Sequence, residues 1–174
     1  MSPPARKVRM VGDVEYRDQA EANLGQPGDA SLILRGRPRA IVMACPDGCG
    51  ETLVVNLDGR AGKAWRFDMR RGGLTLFPSV WREGGCGSHF IVWRGHILWC
   101  GRFERDNLEP DYDEAIEQFV FGAMDVEKPR DAAQLADAID ELIWDVNRAA
   151  NRLVRRGAAK SWKVEGRWVF TRLA

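Results

Sequence analysis

A chain of 174 residues with 45% hydrophobic and 29% charged residues has the make-up of a globular protein and is long enough to bury a core without staples. Its formal net charge of +1 creates no electrostatic demand for nucleic acid. No apolar stretch reaches the ~20 residues of a membrane helix, and the first ten residues lack an apolar signal core, so a cytoplasmic protein with no membrane partner is expected.

In chain order, Val8, Met10, Val14 and Tyr16 suggest one short extended piece, followed by a polar loop through Gly25, Pro27 and Gly28. Period-two and β-branched signals then accumulate. Ser31–Arg35 and Ala40–Ala44 read as strands about a turn at Gly36–Arg39, and Thr52–Leu57 as a third strand ended by Asp58-Gly59. Ala64–Met69 alternates apolar and polar residues as a half-buried strand should, and Gly72-Gly73 turns into Leu74–Phe77. His89–Trp93 and His96–Trp99 form a hairpin about Arg94-Gly95.

Beyond residue 110 the pattern changes. Asp113–Phe121 reads as a short helix ending near Gly122. A longer helix starts at Pro129 and Asp131, carries Leu135, Ala138, Ile139, Leu142, Ile143, Val146, Ala150 and Leu153 at helical spacing, and stops at Gly157. Ser161–Glu165 and Arg167–Thr171 flank Gly166 as a terminal β-hairpin. The basic run Arg148, Arg152, Arg155, Arg156, Lys160 and Lys163 reads as a solvated helix face. The expected fold is therefore α+β: a mainly antiparallel β domain over 1–110 and a helical extension over 111–174 that packs on it or on a partner.

Four cysteines without an export signal point to metal or thiol chemistry rather than disulfides. Cys45-Pro-Asp-Gly-Cys49-Gly50 sets two thiols in a tight turn at a strand end, which is how two sulfurs converge on one tetrahedral zinc. Cys86 and Cys100 meet at the open end of the 89–99 hairpin, so the expected zinc ligands are Cys45, Cys49, Cys86 and Cys100. Two alternatives stand beside this: four unrelated buried thiols, or His89 in place of one cysteine through its Cys-x2-His spacing. His96 has no companion motif and reads as a surface or packing residue.

Four thiolates would leave His89 free. Ser79, Ser88 and Glu51 lie near these motifs, and serine, histidine and a carboxylate are the parts of an acyl-transfer site. Read plainly, Ser79 could equally cap a turn and His89 make a structural hydrogen bond.

The run Cys45–Glu51, then Asn56-Leu57, Trp65, Leu74-Thr75-Leu76, Pro78-Ser79-Val80, Cys86–Phe90 and Gly95 through Trp99-Cys100 resembles an uncharacterised bacterial metal-binding family. Its members are often encoded beside bacterial ubiquitin-like proteins and their E1- and E2-like enzymes. The resemblance covers residues 31–102 and implicates Glu51, Ser79, Ser88 and His89 along with the cysteines. Family members often carry a further cysteine where this chain has Asp47, a departure suggesting that the middle position is not an obligatory ligand.

Together these give the expected function: a zinc-stabilised, serine-type, deubiquitinase-like peptidase that processes a ubiquitin-like protein or its conjugates, with Ser79 as nucleophile, His89 as base and Glu51 as orienting acid. Ser88 is the rival nucleophile. A zinc metallohydrolase with Glu51 as base conflicts with four thiolates, which leave no open coordination position. The alternative to an enzyme is a zinc-held binding module in which Trp81, Trp93 or the tail engages the modifier or its E1- or E2-like enzymes.

Overall fold

The computed structural model describes residues 3–174, which form two compact units, one extending to Pro110 and the other Asp111–Ala174. The fold is α+β with mostly antiparallel sheets. No helix among the described residues is long and apolar enough to cross a membrane.

In the first unit, β1 (Arg9–Val14), β2 (Asp29–Leu34), β3 (Pro38–Ala44) and β4 (Thr52–Asn56) form one sheet in the order β1-β2-β3-β4. The β1–β2 pair is parallel and the other two are antiparallel. A second sheet, all antiparallel, runs β5 (Arg66–Asp68), β6 (Thr75–Trp81), β7 (His89–Trp93), β8 (His96–Trp99). The two sheets face each other across one core. Leu32, Ile41, Met43 and Val55 from the first pack with Leu76, Val80, Phe90, Val92, Ile97 and Trp99 from the second. These are the inward positions of strands with period-two alternation. The other face of the first sheet is covered by α1 (Arg17–Ala22), whose Ala20 packs with Ile33, Ala40 and Val42.

Helix α1 was not legible in the sequence, where only a loop was expected after Tyr16. At six residues it is too short to show a stripe, and tertiary packing through Ala20 holds it. The 3₁₀ turn at Gly59–Ala61 is capped by Asp58, whose side chain accepts from the Arg60 N–H.

The two sides of the sandwich differ. On one side the N-terminal segment closes it: Arg6 O accepts from Ile97 N at 2.9 Å and Val8 N donates to Gly95 O at 2.7 Å, along the edge of β8. The chain then enters β1 of the opposite sheet. On the other side β5 is only three residues long, and it pairs with β6 no further than Arg66↔Phe77.

Where β1 and β2 begin, the Asp29 side chain is fully buried and accepts from Arg9 at 2.7 and 2.8 Å and from the Gly25 and Gln26 amides at 2.9 and 3.0 Å. Arg9 above all, against the opposing effect of burial, holds this carboxyl below its ordinary value. A lowered native pKa means the contribution is complete above the ordinary carboxylate range and disappears as pH falls through the native value. Asp29→Ala is expected to destabilise this unit by about 2–3 kcal/mol, because it orphans the two amides and the guanidinium. Denaturant titrations near neutrality and in acid check this; the difference between wild type and variant should shrink in acid.

In the second unit, α2 (Ile116–Ala123), α3 (Ala132–Ile139) and α4 (Ile143–Arg155) pack together beside a sheet ordered β10-β11-β9, made of β9 (Arg130–Asp131), β10 (Ala159–Val164) and β11 (Arg167–Arg172). The single long helix expected over this region is two. Asp140 takes a left-handed conformation at φ 51° and ends α3, and Leu142 N-caps α4 in extended backbone. The apolar stripe continued through the break because Leu142 is itself buried. The basic run is also less solvated than expected. Arg152 and Arg156 hold the buried Glu117 carboxylate, and Arg148 and Arg152 lie over the Tyr112 ring, 4.7 and 4.8 Å from its centroid.

Candidate active site

Strands β6 and β7 build the site. Trp81 stands directly opposite His89 in their ladder, and Val80 opposite Phe90. Val80 and Phe90 point into the core, so Ser79, Trp81 and His89 share the outer face. There the Ser79 hydroxyl lies 2.9 Å from His89 Nε2. The Trp81 ring flanks the imidazole at 5.7 Å between centroids and is itself 61% exposed. Ser79 and His89 are half-buried, so the pair is supported on one side and reachable from the other.

Ser88, next to His89, lies on the other face. It is 1% exposed, and its hydroxyl sits 3.0 Å from Cys86 Sγ and 3.5 Å from Cys45 Sγ. Adjacent strand residues point to opposite faces, so one short segment presents the imidazole outward and a hydroxyl inward to the thiols.

The thiol group comprises Cys45, Cys49 and Cys86, joined by the Asp47 carboxylate, with one ligand atom from each within 4.8 Å of all the others. All four cysteines are free thiols. The turn is tightened by Gly48 N donating to Cys45 O at 3.1 Å and by Cys49 N donating to Asp47 Oδ1 at 2.9 Å. Gly48 sits at φ 80° and Gly87 at φ 64°, conformations a Cβ would disfavour, and each turns the backbone beside a thiol. Burial pushes the Cys45 thiol up to about 12. Burial works against the Asp47 charge as well, but hydrogen bonds from Cys49, Cys45 and Cys86 hold that carboxyl well below the usual range.

The donor set fits a metal ion. Two sulfurs at the tetrahedral angle on zinc, each bonded at about 2.3 Å, lie about 3.8 Å apart; the Cys45 and Cys86 sulfurs are 3.7 Å apart. Three thiolates and a carboxylate around a divalent cation leave two net negative charges. Two guanidiniums are in place to offset them. Arg82 Nη1 lies 3.8 and 3.9 Å from the Cys49 and Cys86 sulfurs, and Arg102 Nη2 donates to Cys86 O at 2.7 Å and approaches Asp47 at 3.3 Å.

The expected residues are thus partly brought together. Cys45, Cys49 and Cys86 converge; Cys100 lies outside the group, its amide donating to His89 O at 2.9 Å and its thiol raised by burial and by Glu104. Asp47, in the middle of the turn, takes the fourth place in the group. The sequence signal for it was its position between two cysteines, two residues from each. His89 faces Ser79 rather than the thiols. Among the described residues no hydrogen bond or ion pair joins Glu51 to His89; the Glu51 carboxylate is 62% exposed and lies 3.4 Å from Arg82. Trp93, expected as a surface anchor, is 4% exposed and belongs to the interior. His96 Nδ1 lies 2.8 Å from Leu108 O, a local contact.

A serine hydroxyl within hydrogen-bond reach of an imidazole, on an accessible sheet face, offers the nucleophile–base contact that a serine hydrolase requires. Residues 16–100 match the family described as "Bacterial ubiquitination-like system serine protease (BubE)". The match spans α1 through the end of β8 and contains every residue of the Ser79–His89 pair and of the thiol group. The serine-type peptidase expected from the sequence agrees with this description. No curated protein and no solved structure matches the chain.

Proposed function

We propose that this chain is a zinc-stabilised serine hydrolase that cleaves the acyl bond at the C-terminus of a bacterial ubiquitin-like protein, either in its precursor or in its conjugates. The observation that carries the reading is the 2.9 Å contact between Ser79 Oγ and His89 Nε2 on an exposed sheet face. Ser79 Oγ attacks the scissile carbonyl carbon while its proton passes to His89 Nε2. The C–N bond then breaks as His89 returns that proton to the leaving amine, and water, deprotonated by the same imidazole, releases the acyl group. Ser88 is not the nucleophile in this scheme, since it is buried against the thiols. Glu51 is not assigned to the imidazole, because its carboxylate is turned to Arg82.

Zinc would be held by Cys45, Asp47, Cys49 and Cys86, and it would supply folding energy at the end of the sandwich that carries His89. The Ser88 hydroxyl, 3.0 Å from the Cys86 sulfur and 3.5 Å from that of Cys45, fixes the start of β7 and hence the imidazole one residue later. Reduced thiols suit a cytoplasmic setting.

The test is incubation of the purified chain with a bacterial ubiquitin-like protein bearing a C-terminal extension, followed by intact-mass analysis. Release of the extension at one bond is the expected result. An intact substrate that nevertheless binds the chain would replace the hydrolase with a binding module.

A further inference from the structure

The edge of β6 away from β7 is covered only in part. Arg82 N donates to Ser88 O at 2.8 Å, on the β7 side. Backbone polar groups of an antiparallel strand alternate in direction, so the N–H and C=O of Trp81 point to the opposite edge. That edge is paired with β5 only as far as Phe77, and Trp81 has no ladder partner there among the described residues. The edge is also bounded. Trp65 closes one end, its N–H on Asn56 O at 2.8 Å and its indole Nε1 on Ser79 O at 3.3 Å. The Arg82–Glu51 ion pair marks the other end. Between them lies a length of two to three residues, carrying the reactive hydroxyl at its Trp65 end and an exposed indole in the middle.

From this we infer that the open edge of β6 at Ser79–Trp81 is the substrate cleft, and that the acyl donor adds to it as an extended strand whose backbone hydrogen-bonds the Trp81 N–H and C=O. The inference rests on the hydrolase reading and specifies how that hydrolase holds its substrate. A strand added here lies about 4.8 Å from β6. A residue paired with Trp81 therefore places the chain two positions further on beside Ser79 Oγ, where Trp65 stops the edge and the scissile carbonyl must leave the ladder. Such a cleft reads main chain rather than side chains, and it admits a flexible extended tail but not a folded loop. A C-terminal peptide tail is the acyl donor of that shape.

The experiment uses the wild-type chain and tetrapeptidyl-aminomethylcoumarins chosen from a positional mixture, with each residue of the best peptide N-methylated in turn. Removing one strand-pairing N–H should lower kcat/KM on the order of tenfold, while N-methylation of the residues on either side leaves it within about twofold. The Trp81→Pro variant, which lacks the edge N–H, should lose more activity than Trp81→Ala, which keeps it. A flat or irregular N-methyl profile on cleaved peptides, or equal losses in the two variants, overturns the inference while the hydrolase reading stands. So does a Ser79 that reacts with a fluorophosphonate in a chain that cleaves no tetrapeptide. No cleavage together with an unreactive Ser79 removes both.

Discussion

Ser79→Ala and His89→Ala should each lower kcat/KM for a cleavable ubiquitin-like substrate by on the order of 10³-fold or more, and the double variant should be little worse than either single one. That non-additivity is expected because the two side chains act as one unit: without the imidazole the hydroxyl is a weak nucleophile, and without the hydroxyl the imidazole has no proton to take. Both variants should keep their metal and their melting temperature, since neither side chain is among the clustered donors and both face outward. Ser88→Ala should behave differently. It removes a hydroxyl lying 3.0 Å from a thiol, so it should weaken metal retention, and any fall in activity should track metal loss. Steady-state kinetics beside metal analysis of the same preparations separate the two patterns.

The second large effect concerns the thiol group. Cys45→Ser should release about one zinc per chain and unfold the β unit, because structural zinc in small domains contributes on the order of 10 kcal/mol and a whole domain is stable by only about 5–15 kcal/mol. Cys45 is the natural choice, being 2% exposed and central, with its sulfur 3.7 Å from that of Cys86 and near the Asp47 carboxylate at 3.3 Å. Asp47→Ala should weaken retention of the metal, whereas Cys100→Ser should leave the stoichiometry unchanged because Cys100 lies outside the group. Elemental analysis with circular dichroism before and after chelation decides this. Full zinc content in Asp47→Ala with loss in Cys100→Ser would restore the four-cysteine set.

Several parts of this architecture were legible in the residue pattern, and others were not. Strands β2, β3, β4, β7 and β8 announced themselves through β-branched alternation bounded by glycine-containing turns, and their sidedness followed. The extent of β6 did not: Pro78 interrupts the pattern, yet the strand continues to Trp81, because the β6–β7 register shifts between Leu76 and Val80 and Pro78 sits within that irregularity, where no regular ladder bond is lost. The expected convergence of Cys86 and Cys100 assumed that flanking a hairpin suffices to bring two side chains together. In the structure Cys86 lies in a glycine-rich turn that carries it towards Cys45, and Cys100 stays with β7 through its amide. Asp47 was set aside because the resembling family often carries cysteine at that position, yet the turn folds its carboxylate in among the three thiols. Glu51 was offered as the acid for His89, but its exposed carboxylate lies 3.4 Å from Arg82 instead.

The central claim, that Ser79 is a nucleophile activated by His89, is tested most directly by reaction with a fluorophosphonate probe followed by peptide mass mapping. The account predicts one phosphonyl group per chain, located on Ser79, and its absence in His89→Ala protein that retains metal and fold. An unmodified Ser79 in folded, metal-loaded wild type, or a label on another serine, would contradict it.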